Sequence, residues 1–256
     1  MTHTPRKRFG QNFLHDENIL RNIIHAINPQ AGQEIIEIGP GLGALTSCLI
    51  ASDAKIDAIE IDADLCIELN KKFTQANFHL HNQDALDLNL NDFHTQEKLR
   101  ICGNLPYNIS TPLLFNLIKY VDLIADMHFL LQKEVVDRIT AQPGCKNYGR
   151  LSVMLQYFCA TEKLFNVSAN CFYPVPKVTS AVVRLTPYAT PPAVAKDFAN
   201  FASIVKQAFA QRRKTIANSC RQIISSDIWQ STGIDGKRRA ETLSVAEFVQ
   251  LANACS

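Results

Sequence analysis

A β-branched run, Glu34-Ile35-Ile36-Glu37-Ile38, passes directly into Gly39-Pro40-Gly41-Leu42-Gly43 and then into an apolar stretch through Leu45, Leu49 and Ile50. Strand, glycine loop and helix in that order open a parallel α/β unit. The glycines let the backbone turn sharply and let a ligand come within van der Waals distance of the main chain. The alternation then continues. Lys55 to Ile61 reads as a strand, 63 to 74 as a helix, Phe78 to His81 as a strand, and Leu99 to Cys102 as a fourth strand. Helices near 111 to 119, 133 to 141 and 150 to 158 are expected, with strands around Met127 to Leu131, near Leu164, and from Val178 to Leu185. Upstream, Asp16 is placed to cap a helix that carries Ile19, Leu20, Ile23, Ile24 and Ile27 on one face. The expected class is α/β with a mostly parallel sheet.

Open parallel sheets bind ligands along the carboxyl edge of their strands. Four candidate groups fall at consecutive strand ends. The spacing Gly-x-Gly-x-Gly differs from the Gly-x-Gly-x-x-Gly of dinucleotide sites, and it suits S-adenosylmethionine, which has no pyrophosphate to place at a helix N-terminus. Glu60 lies 21 residues after Gly39, near the offset of ~20 at which a carboxylate accepts from ribose hydroxyls. Asp62 shares its face in an extended chain, so the sequence leaves the two competing. Asp84 closes the third strand and could accept from an adenine amine, although an Asp there also caps. The fourth strand runs into Gly103-Asn104-Leu105-Pro106-Tyr107. The exocyclic amine of adenine is a poor nucleophile because its lone pair is delocalised into the ring. The Asn104 side-chain oxygen and the Leu105 carbonyl can each accept one amine hydrogen and draw the nitrogen toward a pyramidal geometry. Pro106 stiffens the loop, and Tyr107 offers a ring for stacking. Phe172, in Phe-Tyr-Pro-Val-Pro-Lys, is expected to hold a flipped base opposite Tyr107. Asn12 and Leu14 precede the first helix, in a segment free to approach a ligand.

With 46% hydrophobic residues, a chain of 256 can bury a full α/β core and a small second domain. No apolar run reaches membrane-spanning length, and the basic start lacks the apolar segment of a signal peptide, so the expected location is the cytoplasm. Eight cysteines without a Cys-x-x-Cys pair point away from structural zinc and from a disulfide framework. Net charge is only +2, but residues 1 to 25 carry four Lys/Arg against two Asp/Glu, 26 to 195 thirteen against seventeen, and 196 to 256 nine against five. Basic flanks around an acidic body suit a polyanion gripped from both ends. The candidate phosphate contacts are Arg6, Lys7 and Arg8 at one end and Arg212, Arg213 and Lys214 at the other, with Lys237-Arg238-Arg239 as a further basic cluster. Residues 186 to 192 read as a linker, and 197 to 253 as helical throughout.

Five segments together carry a family likeness: Arg-Phe-Gly-Gln-Asn-Phe-Leu (8 to 14), Glu-Ile-Gly-Pro-Gly-Leu-Gly (37 to 43), Gly-Asn-Leu-Pro-Tyr-Asn-Ile-Ser (103 to 110), Phe-Tyr-Pro-Val-Pro-Lys-Val (172 to 178) and Gln-Arg-Arg-Lys-Thr (211 to 215). The chain resembles the KsgA (RsmA) family of ribosomal RNA adenine dimethyltransferases. The resemblance implies a seven-stranded class I, Rossmann-like methyltransferase domain over 1 to 187 and a small all-helical RNA-binding domain over 193 to 256. It implies cofactor contacts at Asn12, Leu14, Gly39, Glu60, Asp84 and Asn104, with Gly41 in the same loop. It also implies a substrate of two adjacent adenosines in a hairpin loop near the 3′ end of 16S rRNA in the immature small ribosomal subunit, each methylated twice on its exocyclic amine, without a metal. With no apolar heptad, a monomer is expected. Two other readings share these motifs. One is a resistance-type enzyme acting on large-subunit RNA, whose family more often carries Asn-Ile-Pro-Tyr. The other is an assembly factor for which binding matters more than chemistry.

Overall fold

The computed structural model describes residues 5–6, 9–93, 96–211 and 213–255. The chain divides into two compact units, one holding the residues up to Val136 with Glu162–Pro187, the other Asp137–Thr161 with everything from Tyr188. The segment 137 to 161, which a break at the 186 to 192 linker assigns to the sheet domain, therefore packs with the carboxy-terminal helices.

The elements follow one another as β1 (Phe13–Leu14), α1 (Glu17–Ile27), β2 (Glu34–Ile38), α2 (Ala44–Ile50), β3 (Lys55–Glu60), α3 (Ala63–Lys72), β4 (Phe78–Asn82), β5 (Leu99–Asn104), α4 (Ser110–Leu117), β6 (Ile124–Gln132), α5 (Lys133–Ile139), α6 (Arg150–Phe158), β7 (Cys159–Val167), β8 (Phe172–Tyr173) and β9 (Ser180–Pro187). The last four are α7 (Phe198–Ala208), α8 (Ile216–Ser219), α9 (Ser226–Thr232) and α10 (Val245–Ala254). Seven strands form one sheet in the order β4-β3-β2-β5-β6-β9-β7. The pairs β3–β4, β2–β3, β2–β5 and β5–β6 are parallel, and β9 runs antiparallel to β6.

Local sequence accounts for the element ends. Asp16 accepts from the N–H groups of Asn18 and Ile19, satisfying two of the donors a helix start leaves unpaired. Ile and Leu at three- and four-residue spacing then bury Leu20, Ile23 and Ile27 of α1 against the sheet, in a cluster with Ile35, Leu45, Leu49, Leu130 and Val182. A second sheet, not foreseen from the sequence, pairs β1 with β8, Phe13 opposite Tyr173 and Leu14 opposite Phe172. It ties the amino-terminal segment down beside the carboxyl edge of the main sheet.

In the second unit, the described residues of 197 to 253 form four α-helices separated by turns and short 3-10 segments instead of running helical throughout. Gly233 ends α9 at φ +69, a conformation that glycine adopts without a steric penalty. Thr215 bridges antiparallel to Arg239, and Ile216 N–H donates to the Arg238 carbonyl at 2.8 Å. The core of this unit is aromatic. Tyr157 packs on Phe201 with ring centroids 4.6 Å apart, and Phe209 lies 5.8 Å from Phe248.

Candidate active site

The carboxyl ends of β2 to β6, the glycine loop and the amino-terminal segment enclose a cavity of about 330 Å3 in the first unit. Asn12, Leu14, Gly39, Gly41, Glu60, Asp84, Asn104, Leu105, Pro106 and Tyr107 all line it, which brings together candidates from five separate stretches of sequence and leaves out Asp62, Phe172 and the basic residues.

Gly39, Gly41 and Gly43 all adopt positive φ, +70, +58 and +78. Space matters as well at Gly41, where an added Cβ would lie 2.9 Å from the ring of Phe13 in β1, part of the amino-terminal segment that forms a strap along the cavity. Gly103 is extended, yet a Cβ there would sit 2.2 Å from the Ile38 carbonyl oxygen, so only glycine lets β5 approach β2 this closely.

Packing separates the two competing carboxylates. Glu60 is buried. Its Oε2 accepts from Gly41 N–H at 3.2 Å and its Oε1 from Asp62 N–H at 2.9 Å, which fixes the carboxylate against the glycine loop with lone pairs left over for hydroxyl donors. Burial raises its pKa, and the N–H groups of Asp62 and Gly41 pull the other way. Asp62 does not line the cavity. It starts α3 by accepting from Asp64 N–H, and it holds Arg6 at 2.7 Å and Gln11 at 3.0 Å. The guanidinium of Arg6 also pairs with Asp64, so this expected phosphate contact is instead engaged by two aspartates that anchor the amino-terminal segment. Lys7, Arg8 and Arg212 lie outside the described residues. Asp84 both caps and lines the site, its Oδ1 accepting from Leu86 N–H at 2.9 Å.

At the end of β5, Asn104 Nδ2 donates to the Asn12 carbonyl at 2.9 Å. The amide orientation is thereby set, and Oδ1 is left as the acceptor. Leu105 N–H donates to the Leu130 carbonyl at 3.2 Å and pins the loop to β6. Tyr107 is half-buried, its hydroxyl 2.8 Å from Ser180 Oγ. Phe172 takes a different place from the one its motif suggests. Paired with Leu14, it turns into the core at 1% exposure and does not line the cavity, whereas its neighbour Tyr173 is 63% exposed on the opposite face.

Two titratable residues of the cavity wall were given no role from the sequence, Glu37 and His128. Glu37 is 1% exposed, and burial pushes its carboxyl up to about 7, the Thr46 hydroxyl acting against that and Glu60 adding to it. His128 is 3% exposed in the middle of β6. Each interrupts an otherwise apolar buried strand, and that was the available signal. The charged or titratable side chains among the described lining residues are thus Glu37, Glu60, Asp84, Tyr107 and His128, with no Lys or Arg. Such a cavity suits a cationic ligand and disfavours a phosphate. Among the described residues no group of three His, Cys, Asp or Glu is placed to hold a metal ion.

Comparison with known proteins agrees with this geometry. The ribosomal RNA small subunit methyltransferase A of Hahella chejuensis is 51% identical over 98% of this chain and 93% of its own length, and that of Pseudomonas aeruginosa is 50% identical over 98% and 94%. Among solved structures, a dimethyladenosine transferase from Plasmodium falciparum superposes with a TM-score of 0.79 at 27% identity, covering 93% of this chain and 95% of its own. A 23S rRNA methyltransferase, ErmE, shares the fold with a TM-score of 0.74 at 24% identity over 95% and 99%. The profile of the family described as ribosomal RNA adenine dimethylase matches residues 2–256, and the chain belongs to that family.

Proposed function

We propose that this protein dimethylates the exocyclic amines of two adjacent adenosines in a hairpin loop near the 3′ end of 16S rRNA, in the immature small ribosomal subunit, with S-adenosylmethionine as methyl donor. It acts as a monomer in the cytoplasm and contributes to small-subunit biogenesis. The observation that carries the reading is the fixed amide of Asn104, whose Nδ2 is held by the Asn12 carbonyl so that Oδ1 is the group available at the cavity.

The residues fit the cofactor. Asp84 would accept from its adenine amine and Glu60 from its ribose hydroxyls, while Gly39 and Gly41 allow close approach. Leu14 and Asn12 close the strap over it. The absence of Lys and Arg among the described lining residues matches a sulfonium cation better than a dinucleotide. When bound, the cofactor supplies a methyl group already activated by the sulfonium.

The protein's contribution is positioning, worth up to ~7 to 11 kcal/mol when geometry is well set, and polarisation of the amine. Asn104 Oδ1 and the Leu105 carbonyl accept the two amine hydrogens and free the nitrogen lone pair. Each methyl transfer leaves a cationic nitrogen that sheds one proton to solvent, so after the first transfer one hydrogen remains, and one acceptor suffices for the second. Tyr107 stacks on the base, Pro106 keeps the loop rigid, and Phe172 supports the strap from the core side. A hairpin loop is a sensible target, since an unpaired adenosine costs least to unstack.

In the second unit, Arg213 and Lys214 are exposed, and the Thr215–Arg239 bridge sets them beside Lys237 and Arg239. This basic surface suits phosphate contact without base selection. Arg238 is turned to Glu247 instead.

The test is transfer of labelled methyl groups to unmethylated small and large ribosomal subunits, with mass analysis of the digested nucleosides. Dimethyladenosine in the small subunit is expected. Label confined to the large subunit, or binding without label, would overturn the reading.

A further inference from the structure

Between Phe172 and Ser180, both buried, the chain runs exposed through Tyr173-Pro174-Val175-Pro176-Lys177-Val178-Thr179, with only Pro176 partly covered. The two buried ends fix where this run lies. At one end β8 pairs with β1, which puts Tyr173 opposite Phe13 and Phe172 opposite Leu14, and both β1 residues line the cavity. At the other end Ser180 opens β9 opposite Gln132, and Lys133 N–H donates to the Thr179 carbonyl at 2.9 Å. The Ser180 hydroxyl meets that of Tyr107 at 2.8 Å, and Tyr107 lines the cavity too. The run is thus tied to the cavity wall at both ends and open to solvent between them, so it forms part of the rim. Pro174 and Pro176 restrict its backbone.

Residues directly opposite each other in an antiparallel pair share a face, with Cβ atoms ~4.5 to 5.5 Å apart. Tyr173 therefore stands beside Phe13, whose ring covers Gly41. Phe13 is 8% exposed and Tyr173 63%, so packing accounts for the first ring and leaves the second free. Val175 and Val178 are exposed as well. The run contains no Asp or Glu, and its one charged residue, Lys177, is exposed. A flat ring and a cation on a stiff backbone, with no carboxylate to repel phosphate, suit single-stranded nucleic acid.

We infer that Tyr173 is a stacking platform for the nucleotide next to the target adenosine, an assignment that rests on the rRNA reading above. Extruding an adenosine into the cavity removes it from the stack. The neighbouring base then has a bare face at the rim, where Tyr173 stands. Stacking on an aromatic ring tolerates any base. One platform can therefore serve both target adenosines, although the neighbour on a given side is the other adenosine in one case and a different nucleotide in the other. Tyr173 itself does not line the cavity, so cofactor affinity should not depend on it.

The test uses small ribosomal subunits reconstituted with a ligated synthetic 3′ segment, in which the nucleotide on either side of one target adenosine is normal or abasic. Methyl-transfer kcat/KM and affinity for S-adenosylhomocysteine are measured for the full-length protein, Tyr173→Ala and Tyr173→Phe. Tyr173→Ala should lower kcat/KM about five- to a hundredfold, the range for one base–aromatic stack, with S-adenosylhomocysteine affinity and melting temperature unchanged. Tyr173→Phe, which keeps the ring, should recover most of the loss. An abasic nucleotide on one side should cost the wild type a similar factor and cost Tyr173→Ala nothing more. Losses that multiply would mean that Tyr173 meets something else, such as a ribosomal protein, and would overturn the inference. So would full activity in Tyr173→Ala, an abasic change that costs the wild type nothing, or a parallel loss of S-adenosylhomocysteine affinity. Failure of the wild type to methylate even the normal subunits would overturn the functional reading instead.

Discussion

Glu37→Gln should stabilise the free protein above neutral pH and do little below pH 5. The carboxyl is 1% exposed, one of its oxygens lacks a partner, and burial raises its pKa from 4.5 to about 7. A carboxyl that titrates higher in the folded state than in the unfolded chain contributes its full stability below the unfolded value and loses it as pH rises through the folded one. At 1.36 kcal/mol per pKa unit, the cost of ionising the buried Glu37 reaches roughly 3 kcal/mol by pH 8, of which about 2 to 3 kcal/mol accrues between pH 5 and 8. Glutamine keeps the shape without the charge. For a chain of this size each kcal/mol moves the melting temperature by ~2 to 4 °C, so the gap between variant and wild type should widen by roughly 5 to 10 °C from pH 5 to pH 8. Glu60 titrates in both proteins and largely cancels in the difference. Melting curves across that range are the assay. A gap that stays constant with pH would refute the argument, since neither altered packing nor a lost hydrogen bond has that signature.

Asn104→Ala should lower kcat about 10²- to 10³-fold, the usual cost of removing one polarising hydrogen bond, with RNA affinity near normal; wild-type turnover would refute the acceptor role. Gly103→Ala forces a methyl group to 2.2 Å from the Ile38 carbonyl oxygen, so it should lose several kcal/mol of stability or fail to give soluble protein. A melting temperature equal to the wild type's would show that β5 can move away from β2 at no cost. Replacing Arg213 and Lys214 together by Ala should lower the slope of log affinity against log salt by roughly 1.4 for single-stranded contacts, about 0.7 for each phosphate. Arg6→Ala, which breaks the pairs with Asp62 and Asp64, should leave that slope alone and show its effect in a lower melting temperature; the reverse pattern in the salt titration would count against both assignments.

What the sequence made legible follows from how local each feature is. The strands and helices of the sheet unit could be read because each is a run of one periodicity, and the glycine loop because its conformation is demanded at single positions. Glu60 and Asp62 could not be separated by alternation, since they share a face; what separates them is that β3 ends at Glu60 and the chain turns, making Asp62 the cap of α3. The expectation for Phe172 failed for a related reason. Its motif suggests a ring held against a flipped base, but its pairing with Leu14, 158 positions earlier in the chain, decides which face of a two-residue strand looks inward, and nothing near Phe172 encodes that. The break-up of 197 to 253 was visible in principle at Gly233 and Gly236, whereas the Thr215–Arg239 bridge between distant runs was not. The same division runs through the active site. That Asn104 can accept an amine hydrogen is a property of the residue, but which end of its amide meets the substrate depends on a carbonyl 92 positions away in the strap. Residue type therefore supplies the chemistry of the loop, and the amino-terminal segment supplies its polarity. A substitution in that segment can then lower turnover without touching any atom that reacts.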